Sequence, residues 1–200
     1  TFRSDVLGWK DYRFPALAGS MRWTPAAFDV WDASAKFFGG DAQFTYSIKP
    51  LGRKNVRSTS RFEASYESAD LAAFTDFQNW RGLRFAGSMS GHNLLEWPTG
   101  RFIERRDEGS ATVMAPPGVQ PMTARAIVGG AVPVERGPLV PAPLPAHVPV
   151  AAAFAYRFTA DDLELDPSYF ATDRTHVAFQ GATRWGEQSR FAFHVTSRDW

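Results

Sequence analysis

The fold is decided by residues 23–48, WTPAAFDVWDASAKFFGGDAQFTYSI. At the end of this stretch polar and apolar side chains alternate, and the apolar ones are Ala42, Phe44, Tyr46 and Ile48. Because side chains of a strand point alternately to its two faces, the pattern predicts a strand with one apolar face and one solvated face. Two shorter alternating runs precede it, with turn signals at residues 24–25 and 39–40. The stretch therefore predicts three antiparallel strands joined by turns.

The same alternation recurs along the chain, in residues 61–67, 83–91, 154–158, 175–180 and 191–195. Turn signals separate these runs every 8–12 residues or so, which is typical of an all-β protein. Residues 70–80 differ, because Leu71, Phe74 and Phe77 repeat every third position behind Asp70. This spacing predicts one short helix with Asp70 as its N-cap.

A proline-rich stretch divides the chain. Residues 115–150 hold nine of the 14 prolines and no aromatic residue. Proline cannot donate a ladder hydrogen bond, so this stretch is not a central strand. We therefore expect a β-sheet segment over residues 1–114, a loop or insertion over 115–150, and a continuation of the sheet over 151–200.

The continuation repeats part of the first segment. Residues 21–30, MRWTPAAFDV, align with residues 156–165, YRFTADDLEL, at an offset of 135. Both read as an aromatic residue, a threonine, a turn and then an apolar–acidic–apolar run, and the same offset places Phe44 on Phe179. Chance similarity between hairpins also explains so short a match. If the repeat is real, one β-unit occurs twice.

Composition and motifs argue against several classes of function. The net charge is +1, which gives no reason to expect nucleic acid as a partner. There is no cysteine, and the four histidines lack metal-ligand spacing, so we expect no metal and no cofactor. His176 and His194 fall on polar strand faces, where solvated histidines are the ordinary case. No nucleophile motif occurs, and the acidic clusters at 96–108 and 161–166 are placed at turns, so we expect no catalytic residue and no enzyme.

Rows of apolar side chains on successive strands are the remaining signal. Such rows fit the core of a closed β-sandwich. They also fit a curved sheet whose inner face stays open as a groove for acyl chains. The candidate groove residues are Ala42, Phe44, Tyr46, Ile48, Phe62, Tyr66, Phe85, Met89, Phe154, Tyr156, Phe158, Val177, Phe179, Phe191 and Phe193.

Three stretches carry a resemblance to a known family. They are GGDAQFTYSI at 39–48, ASYESADLAAFTDFQNWRGLRFAGSMSGHNLLEWPTGRF at 64–102 and YRFTADDLELDPSYFATDRTHVAFQGATRWGEQSRFAFHVTSRDW at 156–200. Together with their surroundings, residues 12–103 and 154–200, they resemble the repeated units of the AsmA-like superfamily, closest to TamB-type envelope proteins. The proline-rich insertion departs from that pattern.

The resemblance implies an elongated, taco-shaped antiparallel sheet with a hydrophobic groove. It implies a phospholipid or other acyl-chain lipid as partner, a place in the periplasm, and lipid transfer between the inner and outer membranes. The chain would be one segment of an inner-membrane-anchored protein whose anchor lies elsewhere, with an outer-membrane β-barrel as a possible partner at the far end. The alternatives are a structural envelope scaffold and a carbohydrate-binding β-sandwich that stacks sugars on Trp31, Trp80, Trp97 or Trp185.

Overall fold

A computed structural model of the chain describes residues 1–5, 7–9, 11–78, 84–124 and 147–198. The helical elements are α1, Leu71–Gln78, and a 3-10 turn, Phe102–Glu104. The strands are β1 Phe2–Ser4, β2 Gly8–Trp9, β3 Tyr12–Arg13, β4 Leu17–Trp23, β5 Phe28–Phe37, β6 Gly40–Lys49, β7 Thr59–Asp70, β8 Phe85–Ala86, β9 Ser88–Pro98, β10 Arg106–Met114, β11 Val148–Pro149, β12 Ala151–Phe158, β13 Asp162–Ala171, β14 Thr175–Arg184 and β15 Arg190–Ser197.

Eleven of these strands form one open antiparallel sheet in the order β1-β4-β5-β6-β7-β9-β10-β12-β13-β14-β15. From β4 onward each strand pairs with the next sheet strand in sequence, so the sheet is a long meander. Strands β12–β15 continue the sheet that β1–β10 begin, because β12 pairs with β10 through seven register positions. The prediction of an all-β fold with antiparallel strands and one short helix is confirmed.

The sheet has an apolar face and a polar face. Register pairs place Phe44 beside Ala64, Ala64 beside Asn93, Asn93 beside Gly109 and Gly109 beside Tyr156. Paired residues point to the same side of a sheet, so these side chains share one face across five strands. We call the face that carries Phe44 the inner face, and the opposite one the outer face.

A packed core covers one end of the inner face. Helix α1 follows β7 there, and Asp70 caps it by accepting hydrogen bonds from the backbone N–H groups of Ala72 (2.8 Å) and Ala73 (3.3 Å). The predicted N-cap is thereby confirmed, whereas residues 79–80 lie outside the described part of the chain. The buried residues of this core are Phe38, Ala69, Leu71, Met89, Val113, Val150 and Ala152. We call this end of the sheet the capped end.

The repeated units have the same structure. In both turns a threonine hydroxyl accepts two backbone N–H groups: those of Ala26 and Ala27 for Thr24, at 3.3 and 3.0 Å, and those of residues 161 and 162 for Thr159, at 3.2 and 3.0 Å. A β-bulge follows at equivalent places, after Val30 in β5 and after residue 165 in β13. A threonine hydroxyl that bonds to nearby backbone N–H groups forms such a turn without help from distant residues.

The equivalence extends to the strands that follow. Beyond the bulge, Ala33 pairs with Phe44 in the first unit, and Ser168 pairs with Phe179 in the second. A chance likeness of two hairpins would not reproduce the bulge and the register after it. The alignment at an offset of 135 therefore reflects one structural unit that occurs twice in the sheet.

The sequence pattern predicts separate strands at residues 28–30 and 33–38, a strand end at residues 166–167, and a strand at residues 102–103, and these three local predictions were wrong. Residues 28–37 form one strand, β5, with a bulge at positions 31–32. Strand β13 likewise continues through Pro167, which occupies a bulge, where a stop was expected. Phe102 and Ile103 lie in the 3-10 turn and do not extend the sheet.

The described parts of the proline-rich stretch lie against the sheet. Residues 115–124 have neither helix nor strand, yet Met122 is buried and its N–H donates to the Thr172 carbonyl at 2.7 Å. Residues 148–149 form β11, which pairs with β8 in parallel. Residues 125–146 lie outside the described part. In the part that is described, no helix combines the length and the apolarity needed to span a membrane.

Candidate functional site

An apolar cavity of about 410 Å³ lies on the inner face, beside the packed core. Its floor is formed by β5, β6, β7 and β9, and the N-terminal residues Leu7 and Phe14 form one side. The residues that line it are Leu7, Phe14, Leu17, Ala35, Phe37, Ala42, Phe44, Phe62, Ala64, Ser65, Tyr66, Asn93 and Leu95. This volume lies within the range of small-molecule sites in proteins, about 300–1,000 Å³.

The cavity exists because small residues alternate with large ones across its floor. Ala35 pairs with Ala42, and Ala64 pairs with Phe44, so alanines leave room between aromatic rings. The Phe44 and Phe62 rings, 5.8 Å apart, form one wall. The floor is thus apolar and its space is not filled by neighbouring side chains.

Tyr66 forms the wall toward the core by lying across a glycine. Its partner in the register is Gly91, where a Cβ atom would come within 2.5 Å of the Tyr66 hydroxyl oxygen and would also meet the Ser110 carbonyl. Only glycine admits this close approach. Burial raises the pKa of the Tyr66 phenol, in keeping with an apolar setting.

A polar cluster interrupts the inner face next to the cavity. Asn93 Nδ2 donates to the Tyr156 hydroxyl at 2.7 Å, and that hydroxyl donates to Asp107 Oδ1 at 3.1 Å. Burial raises the pKa of Asp107, against the lowering effects of the Tyr156 hydrogen bond and the Arg105 charge. The pKa of Tyr156 is also raised, first by burial and then by the Asp107 charge. Asn93 Nδ2 donates its hydrogen bond within this cluster, so the Nδ2 group does not need a ligand as its acceptor.

Aromatic rings continue from the cavity to the end of the sheet away from α1. Trp23 contacts Phe28 at 5.9 Å between ring centroids, Phe28 contacts Tyr46 at 6.1 Å, Tyr46 stacks on Trp97 at 6.1 Å, and Trp97 meets Phe102 edge to face at 5.2 Å. On β5 and β6 the apolar surface therefore extends from the cavity to the strand ends opposite the packed core.

The outer face is polar and laced with ion pairs. Arg61 bridges Glu63 at 2.9 Å and Glu96 at 3.0 Å, and the hydrogen bonds from Arg61 and His92 lower the pKa of Glu63. A shallow depression of about 550 Å³ on this face is lined by Asp32, Ala33, Ser34, Gln43, Phe44, Thr45, Glu63, Ala64 and Ser65. Strand alternation turns the Phe44 ring to the inner face, so no ring faces this depression.

The predicted groove residues fall on or over the inner face, but in different environments. Ala42, Phe44, Phe62 and Tyr66 line the cavity. Met89, Phe85 and Phe154 belong to the packed core or pack against it, with Phe85 in the separate strand β8. Towards the strand ends opposite α1 and on β12–β15 lie Tyr46, Ile48, Tyr156, Phe158, Val177, Phe179, Phe191 and Phe193.

Sequence reasoning missed the side and the floor of the cavity around β9. Leu7 and Phe14 belong to no long alternating run, so no pattern pointed to them. Leu95 does alternate with Trp97, and that signal could have found it. Asn93 interrupts the same row as a polar residue, which masks the face to which it points.

The tryptophans proposed as sugar platforms do not form one surface. Trp31 lies on the outer face, paired with Ser20, while Trp97 lies on the inner face. Trp185 lies in the turn after β14, and Trp80 is outside the described residues. A set divided between two faces does not make one stacking platform for a sugar.

Of the two histidines predicted to be solvated, His176 and His194, the first is buried. His176 is 8% exposed and stacks on Tyr169, with ring centroids 5.4 Å apart. The prediction of a solvated histidine was therefore wrong at position 176. Among the described residues, no three His, Asp or Glu side chains come together as metal ligands.

Fold and cavity define the chain as an open antiparallel β-sheet with an apolar cavity of ligand size on one face. Comparison with family models, with curated proteins and with solved structures returns no match to this chain. The geometry of the inner face is therefore the feature that points to a function.

Proposed function

We propose that the inner face binds the acyl chains of a phospholipid or a similar lipid, and that the chain is a segment of a lipid-transfer protein of the bacterial envelope. The observation that carries the proposal is the apolar cavity of about 410 Å³ beside the core. The resemblance to the AsmA-like superfamily supports a periplasmic location for the segment, between inner and outer membranes. The membrane anchor and any outer-membrane partner would lie outside this chain.

The chemistry of the walls supports an apolar ligand. Phe44, Phe62 and Leu95 offer dispersion contacts, and burying a CH₂ group of the lipid contributes about 0.8 kcal/mol. Within the described part of the chain, the buried side-chain atom that lacks a hydrogen-bond partner is His176 Nδ1, on the outer face. The atoms that border the cavity are almost all apolar, so the cavity offers little to a polar ligand.

The separation of core and cavity supports the same proposal over a closed sandwich. The packed core lies at the capped end around Met89 and Val113, whereas the cavity lies among partly buried side chains such as Phe44 and Phe62. The sheet thus gains its stability at one end and leaves apolar surface elsewhere. Transfer would be passive: lipid tails exchange one apolar contact for another, and no covalent chemistry is required.

The test is binding of a polyene fatty acid whose fluorescence rises in an apolar site. Ala64→Phe places a ring in the cavity without adding a charge, and should abolish the fluorescence increase. Ala182→Phe makes the same change at an exposed position on the outer face and should bind like the wild type. Phospholipid that copurifies with the wild type and not with Ala64→Phe, seen by native mass spectrometry, would support the proposal.

Charged variants ask whether binding extends along the sheet. Phe44→Asp and Phe179→Asp occupy equivalent positions of the repeated unit, and each should block photo-crosslinking to lipid while circular dichroism shows an intact sheet. Equal probe binding by the wild type and Ala64→Phe would contradict the proposal. So would a lipid-free wild type that binds glycans instead.

A further inference from the structure

The loops at one end of the sheet form a continuous edge. In a meander, alternate connections lie at the same end, so residues 24–27, 50–58, 99–105, 159–161 and 185–189 are all opposite the capped end. Neighbouring loops touch, because the Leu51 N–H donates to the Ala26 carbonyl at 2.7 Å and the Thr99 N–H donates to the Ser58 carbonyl at 2.8 Å. We call this edge the loop end.

Large apolar side chains project from the loop end into water. Trp23 is 79% exposed, Ile103 76%, Trp185 56%, Phe102 51% and Val56 49%. They lie on or beside four of the five loops. The inner-face ring row ends among them, since Trp97 contacts Phe102. Apolar groups gathered at one edge indicate a surface that is covered in use.

Two of these loops, 50–58 and 99–105, are basic. Loop 50–58 contains three basic residues and no acidic one: Arg53, Lys54 and Arg57. Residues 99–106 add Arg101, Arg105 and Arg106 against the single acid Glu104. In the described part of the chain, Arg101 is the member of this set that forms an ion pair, with Glu104 at 2.8 Å. Within the described residues Arg53, Lys54, Arg57 and Arg106 form no ion pair, so their charges can meet an anionic partner.

One stretch at the capped end is acidic, in contrast to the basic loop 50–58. At the capped end, residues 67–76 contain Glu67, Asp70 and Asp76 and no basic residue. Cations also lie at the capped end, among them Arg13, Arg84 and Arg198, so the contrast is between these two stretches and not between the whole ends. An anionic surface would attract the loop end and repel this part of the capped end.

Arg105 brings a basic side chain of the loop end into contact with its apolar side chains. Its guanidinium lies 4.8 Å from the centre of the Phe102 ring and 5.0 Å from that of Phe158. A cation held over rings at the border of an apolar face suits a partner that is apolar inside and anionic outside. A folded nucleic acid or an acidic protein would use the cations but offers little to Ile103 and Val56, which cannot hydrogen-bond.

We propose that the loop end docks on the surface of an anionic lipid bilayer. Trp23, Phe102 and Ile103 enter the boundary between headgroups and acyl chains, where aromatic side chains are favoured. Arg53, Lys54 and Arg57 lie over the anionic headgroups. The inner face then opens toward the bilayer. Docking does not require lipid in the cavity, so this inference stands apart from the proposed function.

The test is cosedimentation of the full chain with vesicles of phosphatidylcholine alone or mixed with phosphatidylglycerol. The wild type should bind the mixed vesicles, and added salt should weaken the binding. Arg53→Gln/Lys54→Gln/Arg57→Gln should partition on the order of 100-fold less strongly, from the usual contribution of a cation near an anionic surface. Phe102→Ser/Ile103→Ser should lose about tenfold or more.

Matched controls change the capped end. Arg13→Gln/Arg84→Gln/Arg198→Gln removes three cations there, and Met114→Ser removes an apolar side chain that is 64% exposed. Both should bind mixed vesicles like the wild type. Circular dichroism identifies any variant that fails to fold, and the single variant Ile103→Ser then replaces the double one.

Three outcomes would overturn the inference. The first is equal binding of the wild type to both kinds of vesicle. The second is a loss of vesicle binding in the capped-end controls equal to that in the loop-end variants. The third is full vesicle binding by Phe102→Ser/Ile103→Ser, which would assign the cations to an acidic macromolecule. Ala64→Phe should still bind mixed vesicles. Loss of probe binding with retained vesicle binding therefore separates the cavity from the loop end.

Discussion

Truncating Met89 and Phe44 to alanine should separate the packed core from the cavity. Both side chains lie on the inner face, but Met89 is 6% exposed and belongs to the buried cluster with Leu71 and Val113. Met89→Ala leaves a hole among atoms that cannot all move to fill it. We expect it to lower the free energy of unfolding by about 2–5 kcal/mol. For a domain whose whole stability is roughly 5–15 kcal/mol, that loss is large.

Phe44→Ala should cost less, although it removes a larger side chain. The Phe44 ring is partly buried, contacts Phe62 and borders space that is already open. Its removal enlarges an existing cavity and exposes apolar area that was only partly covered. We expect a loss of about 1–2 kcal/mol, from incomplete burial of one aromatic side chain.

Urea unfolding followed by circular dichroism measures both values, provided that the slopes of the transitions agree. Fluorescent fatty acid binding provides the second reading: Met89→Ala should bind like the wild type while it remains folded, and Phe44→Ala should bind more weakly. A loss for Phe44→Ala equal to or above that of Met89→Ala would show that Phe44 is a core residue. That result would refute the division of the inner face into core and cavity.

Three further experiments test local features. Asp70→Ala should lower the free energy of unfolding by about 0.5–2 kcal/mol, because two N–H groups of α1 lose their acceptor, while Asp70→Asn should retain most of it. Thr24→Ala and Thr159→Ala should cost similar amounts, on the order of 1 kcal/mol each, since their turns are equivalent. The free energy of unfolding of Asp107→Asn, compared with that of the wild type at the same pH, should increase as the pH rises from acid to neutral. Burial raises the pKa of Asp107, so the folded wild type binds that proton more tightly than the unfolded chain and loses stability as pH rises through the titration.

Each of these has an outcome that would contradict it. Equal unfolding curves for Asp70→Ala and the wild type would remove the cap from the account of α1. A large loss for Thr24→Ala with none for Thr159→Ala would mean that the two turns do not support the sheet equally. An Asp107→Asn advantage that is larger in acid than at neutral pH would reverse the sign argued here. Urea titrations at matched pH and salt measure all three.

The strands were predictable because alternation is a local property of sequence. Residues 40–49 and 59–70 form strands with the faces that their apolar rows predicted, and the Asp70 cap needed only its own neighbours. The bulges were not predictable. At positions 31–32 the pattern breaks, and sequence alone does not distinguish a break that ends a strand from one that shifts its register.

The candidate site was predictable as a face and not as a cavity. Alternation assigned Phe44, Phe62 and Tyr66 to one side of the sheet, but closure of that side depends on Leu7 and Phe14, far away in sequence. Whether apolar residues fill a space or border it depends on how distant segments meet. That is why core and groove were indistinguishable from the sequence.

The repeated unit shows what determines whether an apolar face becomes a core or a groove. Phe44 and Phe179 occupy the same position of the same unit, with the same bulge before their partners. Over Phe44 the N-terminal segment forms one side of a cavity. In the second unit, Phe193, the partner of Phe179, is 66% exposed. The repeated unit therefore supplies a continuous apolar face, and the segment lying over that face determines where it becomes an enclosed cavity. A second covering segment placed over β14 and β15 would, on this reasoning, create a second cavity from residues that are already in position.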